Sequence, residues 1–275
     1  MKYLTIKGEG LSQIGIGGAD LGANPTNEIA AIRYGLTHGI NVVDTAESYY
    51  GSERVIGAAL RGIDRHQVFI ISKFLPRHAT PELEAASLKP SLEKLGTDYL
   101  DLYLLHWRAN ANLAVAVAGL ERLRQEGLIR HWGVSNFDVI DMKELLKVPA
   151  GEHVFANEDL YNLTSRGVEY DLMPWQEKHQ VGFLGYSPFH AVGWHYLRPT
   201  PVLKRIATAH HASPYQVMLA WITRHNNVVT LPKASSVTHV QDNITAMDLQ
   251  LTPIELQKID QEYPAPTRKV PLDKI

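Results

Sequence analysis

Short apolar runs recur along the chain at regular intervals, and several end on a polar side chain. Ile40-Asn41-Val42-Val43 leads into Asp44, Val68-Phe69-Ile70-Ile71-Ser72 into Lys73, and Tyr99-Leu100-Asp101-Leu102-Tyr103-Leu104-Leu105 into His106. Runs this short, and apolar on both faces, are the pattern of buried parallel strands. Further runs at 129–134, 153–157, 181–187 and 228–232, with Gln13 to Gly17 ahead of them, bring the set to eight. Stretches of helical spacing alternate with them. Thr26 to His38 puts Ile29, Ile32 and Leu36 on one side and stops at Gly39; 52–60, 80–95, 112–126, 138–146, 168–179, 200–225 and 238–247 follow. Eight strand-helix units at roughly thirty-residue intervals predict an α/β protein with a closed (β/α)8 barrel of the TIM type, preceded by a short N-terminal β-hairpin around Lys7-Gly8-Glu9-Gly10. A doubly wound open sheet is the structural rival. No linker, charge block or repeat divides the chain, so residues 1–275 read as a single domain whose Pro-rich, charged tail from Tyr263 is expected on the surface.

Composition narrows the function classes. With 275 residues, 45% of them hydrophobic and 20% charged, the chain can bury a large core. A net charge of -2 without any basic stripe gives no electrostatic case for binding nucleic acid or an anionic membrane. Cysteine is absent, which removes disulfides, thiolate zinc sites and a Cys nucleophile together. No stretch reaches the roughly eighteen apolar residues of a membrane span, and the N-terminal segment lacks an uninterrupted apolar h-region, so a cytoplasmic location is expected. His131, His210 and His211 lack partners at metal-ligand spacing, and no metal is expected.

The polar strand ends carry the chemistry. In α/β barrels, groups at the carboxyl ends of strands converge on one face. Asp44, Lys73, His106 and a tyrosine from Tyr49-Tyr50 would bring together a carboxylate, an ammonium, an imidazole and a phenol, a set suited to giving a proton to a carbonyl oxygen. A phenol, with a pKa of about 10, is too weak an acid near neutrality unless a cation stabilises its phenolate. Lys73 can be that cation, and Asp44 can hold it charged against the desolvation that burial imposes. His106 would donate a hydrogen bond to the substrate oxygen, a contact whose loss typically costs on the order of 10²-fold in rate. Singly, each residue has a plain structural reading: Tyr packs, Lys snorkels, Asp44 caps a turn, His106 bonds backbone at the rim. Together the four favour chemistry. Schiff-base formation at Lys73, needing no nucleotide, is a further class. The run Gly15-Ile16-Gly17-Gly18-Ala19-Asp20 is not a Rossmann fingerprint, because Asp20 stands where the third glycine belongs and the next helix starts only near Thr26.

Asp44-Thr45-Ala46-Glu47-Ser48-Tyr49 followed by Ser52-Glu53 and Gly57, then Ser72-Lys73, Leu104-Leu105-His106-Trp107 and Gly133-Val134-Ser135-Asn136-Phe137, resembles the aldo-keto reductases in order and spacing. Ala156-Asn157-Glu158, Tyr161-Asn162, Gly185-Tyr186-Ser187-Pro188-Phe189, Leu231-Pro232-Lys233-Ala234-Ser235-Ser236 and Asp242-Asn243-Ile244 extend the resemblance over nearly the whole chain. It implies a barrel that binds NADP(H) without a Rossmann fold and moves hydride between nicotinamide and the carbonyl carbon of a small molecule. It also selects Tyr49 over Tyr50, since the family's tyrosine stands three positions ahead of the position of Ser52. A non-catalytic relative that binds the nucleotide and regulates a partner, as potassium-channel β-subunits do, is the alternative.

For the cofactor, the resemblance assigns Ser135 and Asn136 to the carboxamide. Tyr186 suits stacking under the nicotinamide, with Ser187, Pro188, Phe189 and Gly18 beside it. Glu158 departs from the family's glutamine: an ionised carboxylate only accepts hydrogen bonds, and its charge near the ring would favour oxidised nicotinamide. Lys233, Ser235 and Ser236, with the start of the following helix, suit a 2′-phosphate and so favour NADP(H), NAD(H) remaining open. His239 stands where the family often has arginine, which weakens that discrimination. Asp242 and Asn243 are candidate adenine contacts. For the substrate pocket the candidates are Ala19, Asp20, Tyr50, Phe74, Trp107, Trp194 and Tyr196, an aromatic and partly polar wall. Arg108, where proline is usual, either attracts an anionic substrate group or bridges to a neighbouring loop. Substrate identity and oligomeric state are left open.

Overall fold

The computed structural model describes residues 1–192, 195–233 and 235–274. The chain opens with an antiparallel hairpin, β1 (Tyr3–Ile6) and β2 (Glu9–Ser12). Then come β3 (Ile16–Gly17), α1 (Pro25–Thr37), β4 (Val42–Asp44), α2 (Ser52–Leu60), β5 (Phe69–Phe74), α3 (Pro81–Leu95), β6 (Leu100–Leu105), α4 (Leu113–Gln125), β7 (Ile129–Ser135) and α5 (Val139–Leu145). The second half adds β8 (Ala156–Leu160), α6 (Leu172–Lys178), β9 (Gly182–Tyr186) and a small hairpin of β10 (His190–Ala191) and β11 (His195–Tyr196). It continues through α7 (Pro201–Ala209), α8 (Pro214–Ile222), β12 (Val228–Leu231), α9 (Val237–Thr245) and α10 (Pro253–Glu262). Strands β3 to β9 and β12 lie in one parallel sheet in chain order. Its ends meet: Ile14 bridges Thr230, Gly17 bridges Lys233, and Gly17 N donates to Pro232 O at 2.9 Å. The sheet is therefore a closed barrel, and the open-sheet rival falls.

Strand alternation sorts the side chains. In β5, Phe69 and Ile71 join the inner cluster with Val42, Leu102, Leu104, Leu184 and Val229, while Ile70 and Phe74 pack outward against the helices. Leu4, Ile6 and Leu11 of the hairpin belong to the same inner cluster, and Lys7 Nζ donates to Val154 O at 2.7 Å. The hairpin thus plugs the amino end of the barrel, leaving the carboxyl ends of the strands free for a site. The seam there is tight, since a Cβ on Gly17 would lie 2.7 Å from Leu231 O.

Three expectations change. The helix read over 200–225 is two, α7 and α8. His211 adopts a left-handed φ of 51°, and Ser213 starts α8 with a reciprocal capping box to Gln216 and Pro214 in its first turn. The strand expected over Gln13 to Gly17 shrinks to two residues because Ile14 and Gly17 reach the last strand through isolated bridges. Helix α10 was not anticipated, although Thr252, Pro253 and Glu255 form its capping box. The tail is tied down at Lys269, which pairs with Asp171 at 2.8 Å.

Where α3 meets α4, a Cβ on Gly119 would fall 2.0 Å from Glu84 Oε2. Glu84 is fully buried, and neither of its carboxyl oxygens has a partner among the described residues. Burial first, and Glu82 second, push its carboxyl up to about 9. A pKa raised in the folded state means stability present below the ordinary carboxylate range and lost as pH rises toward that value. Glu84→Gln is therefore expected to raise Tm more at about pH 8 than at about pH 5. Thermal unfolding at both pH values checks this, and equal shifts would exonerate the carboxyl.

Candidate active site

The polar strand ends converge on a cavity of about 630 Å³ at the carboxyl end of the barrel. Asp44 ends β4, Lys73 sits on the inner face of β5, and His106 follows β6. Tyr49 lies in the loop after β4, whose turn is held by Tyr49 N to Ala46 O at 3.0 Å and Ser52 N to Tyr49 O at 3.2 Å. Glu47 fastens that loop to the next strand by accepting from Leu75 N at 2.7 Å. Tyr50, by contrast, is 98% exposed. The two tyrosines separate cleanly.

Lys73 is the buried hub. Its ammonium donates to Asp44 Oδ1 and, at 3.1 Å, to Thr45 O; it stands 3.3 Å from Glu158 Oε1 and 5.2 Å from the centre of the Tyr49 ring. Burial alone would strip its proton, but Asp44, then Glu158 and Tyr49, hold its pKa above the ordinary lysine value. The phenol is pushed up, mainly by burial, with Lys73 pulling it back and Asp44 and Glu158 adding to the rise. Tyr49 is thus a protonated donor at neutral pH. Its ring meets that of His106 edge-on, with centroids 5.7 Å apart and an interplanar angle of 77°. Burial first, and Lys73 second, push His106 down to about 3, so the imidazole is neutral. Its Nδ1 is buried without a partner among the described residues. This arrangement can deliver a proton from Tyr49 to an oxygen that His106 helps to hold.

A wall of linked polar groups stands beside the hub. Ser135 Oγ donates to Glu158 O at 2.8 Å, and Asn136 Nδ2 donates to Ser135 Oγ at 3.0 Å and His106 O at 3.1 Å. Tyr186 OH donates to Asn136 Oδ1 at 2.8 Å. Asn136 holds a left-handed φ of 61°, which an asparagine tolerates better than most residues. Farther out, Ser187, Pro188 and Phe189 line the cavity, followed by Lys233, Ser235, His239, Asp242 and Asn243. Lys233 Nζ lies 3.7 Å from Asp20 Oδ2 across the opening. Ala19, Asp20, Trp107 and Tyr196 also line it.

Several expected positions lie elsewhere. Phe74 is not in the wall: it is the outward-facing neighbour of Lys73, fully buried against Tyr103 with ring centres 4.9 Å apart. Tyr50 projects into solvent, and Arg108 is clamped by Asp141 and Glu144 of α5, which leaves the loop-bridging alternative. Ser236 caps α9, accepting from His239 N at 3.3 Å, and Gly18 is buried behind the lining with room for no side chain, a Cβ there falling 2.5 Å from Asp44 O. Trp194 lies outside the described residues. Sequence reasoning missed Ser213, Tyr215 and Gln216, which line the cavity because α8 begins there. The Ser-Pro-x-Gln capping signal would have revealed that start.

Fold and site define a barrel enzyme with a buried phenolic proton donor. The chain belongs to the aldo/keto reductase family, whose model matches residues 13–263. It is 43% identical over 252 residues to methylglyoxal reductase YeaE of Escherichia coli, covering 90% of this chain and 88% of that protein. It is 32% identical over 238 residues to glyoxal reductase of Bacillus subtilis, with 86% and 84% covered. An aldo-keto reductase from Klebsiella pneumoniae, solved in complex with NADPH, superposes with a TM-score of 0.92 at 39% identity over 100% of both chains.

Proposed function

We propose that this chain uses NADPH to reduce the aldehyde or ketone group of small molecules to alcohols, with short 2-oxoaldehydes such as methylglyoxal as the leading substrates. The single observation that carries the reading is the placement of Tyr49, Asp44 and His106 in the wall of one cavity, with Lys73 buried against Asp44 and the Tyr49 ring. The substrate class rests on the methylglyoxal and glyoxal reductases among the relatives. A nicotinamide nucleotide, when bound, supplies the hydride to the carbonyl carbon. The fit of such a group is supported by two buried polar atoms in this region without partners among the described residues, His106 Nδ1 and Glu158 Oε2. Ser135, Asn136, Glu158 and Tyr186 would hold the nicotinamide end. Lys233, Ser235 and His239, at the start of α9, would hold the phosphate end, where backbone donors and the helix dipole favour negative charge.

The residues divide the work. Tyr49 gives its proton to the oxygen on which charge develops, and Lys73 stabilises the phenolate left behind. Asp44 keeps the lysine charged. His106, neutral, offers a hydrogen bond without competing as the acid. The deciding experiment follows oxidation of NADPH, and separately NADH, against a panel of methylglyoxal, glyoxal and other small aldehydes and ketones. Nucleotide binding without turnover on any of them defeats the reading. His239→Arg is expected to tighten NADPH binding by about tenfold with little effect on NADH, because a guanidinium makes charge-assisted bonds to a 2′-phosphate. Fluorescence titration with both nucleotides measures this.

A further inference from the structure

The nicotinamide wall contains one group whose bonding is incomplete. Ser135, Asn136 and Tyr186 satisfy one another, as described above, whereas Glu158 Oε2 is buried and has no partner among the described residues. The side chain is only 2% exposed and lines the same cavity. Its other oxygen, Oε1, shares the Lys73 ammonium with Asp44. One cation thus faces two carboxyls in a site closed to solvent, and with both ionised an excess negative charge would be left there.

We infer that Glu158 is a proton-exchanging contact for the nicotinamide: it accompanies the reduced cofactor as a neutral acid and the oxidised cofactor as a carboxylate, so that NADP⁺ binding releases a proton to solvent. The inference rests on the NADP(H) reading above. A neutral carboxyl both donates and accepts hydrogen bonds, as the family's glutamine does, while a carboxylate only accepts. Beside reduced nicotinamide, which has no ring charge, ionising Glu158 leaves the excess negative charge uncompensated. Beside oxidised nicotinamide the ring's positive charge compensates it, strongly so where water is excluded.

Groups facing Glu158 from every side are consistent with this. Burial first, and Asp44 second, push Glu158 up to about 8, against the pull of Lys73. Tyr49 and His106 are neutral near pH 7, for the reasons given, and the Tyr186 phenol donates to Asn136. Asp159, on the opposite face of β8, is itself pushed well up, by burial and then by Glu158, and so is also neutral. Asp44 is also pushed up by burial, against the pull of Lys73, so the proton that moves belongs to the pair of carboxyls around Lys73, of which Glu158 carries the unpartnered oxygen on the nicotinamide side.

By linkage, the affinity for NADP⁺ relative to NADPH should rise by up to about tenfold per pH unit on approaching pH 8 from below. The 2′-phosphate is common to both nucleotides and cancels in the ratio. The test is calorimetry of NADP⁺ and NADPH binding at about pH 7 in two buffers of different ionisation enthalpy, with dissociation constants followed across pH. Wild type should release close to one proton with NADP⁺ and almost none with NADPH. Glu158→Gln should abolish the difference and Glu158→Asp should retain it. Equal proton counts for the two nucleotides in wild type, or an undiminished pH slope in Glu158→Gln, would overturn the inference while leaving the cofactor reading intact. Failure of wild type to bind either nucleotide would remove both.

Discussion

Replacing Tyr49 with Phe is expected to lower turnover of small aldehydes by about 10²–10⁴-fold while NADPH affinity stays within about twofold. The phenol has no understudy. His106 is pushed down to about 3 and holds no acidic proton near neutrality, and Lys73 is held protonated by two carboxyls. Tyr50, the adjacent phenol, is 98% exposed and outside the cavity lining, so Tyr50→Phe should leave kcat unchanged. Only the hydroxyl is removed at position 49 and the ring keeps its packing against His106, so the loss should appear in kcat rather than in nucleotide binding. Steady-state kinetics with methylglyoxal, paired with fluorescence titration of NADPH, reads both. If Tyr49→Phe retained more than about a tenth of wild-type turnover, another acid would have to be sought.

Lys73→Met should be the costliest substitution for the fold. The methionine nearly matches the apolar stem in volume, but Asp44 and Glu158 lose their shared cation in a site where Lys73 is 0% and each carboxyl no more than 4% exposed. Breaking a buried pair by removing one partner typically costs about 3–5 kcal/mol, because the remaining charge stays uncompensated. The sign of the pH dependence follows. With the ammonium in place burial already holds both carboxyls above their unfolded values, Glu158 at about 8. Without it they rise further, so wild type and variant lose stability alike as pH rises toward about 8, and beyond it the wild type's loss from Glu158 levels off while the variant's continues. The gap in Tm between wild type and variant should therefore widen as pH rises past about 8, and adding Glu158→Gln to Lys73→Met should recover part of it. A deficit independent of pH and indifferent to Glu158 would point to packing instead. Turnover should fall with stability intact at low pH, since the phenolate of Tyr49 loses its cation.

Much of this site is legible in the amino-acid sequence. The periodic apolar runs placed Asp44, Lys73 and His106 at strand ends, and a parallel barrel sends such ends to one face. Strand parity was readable too, and it would have corrected Phe74: with Lys73 on the inner face, its immediate neighbour must point to the helices, as the contact with Tyr103 shows. The break between α7 and α8 was hidden by continuous helical spacing on both sides of it, although Ser213, Pro214 and Gln216 carried a start signal. Arg108 could not be placed, because its partners Asp141 and Glu144 lie on a helix whose rotation depends on packing.

The alternation of strands and helices, the residue types at the strand ends and the family to which they belong follow from local periodicity and from spacing along the chain. That Glu158 and Asp44 share one lysine, that the helix after residue 213 opens onto the cavity, and that the hydroxyl at 50 faces water are consequences of the folded arrangement. Those outcomes depend on barrel closure and register, which bring strands β4, β5 and β8 around a common interior and fix how deeply each carboxyl is removed from solvent.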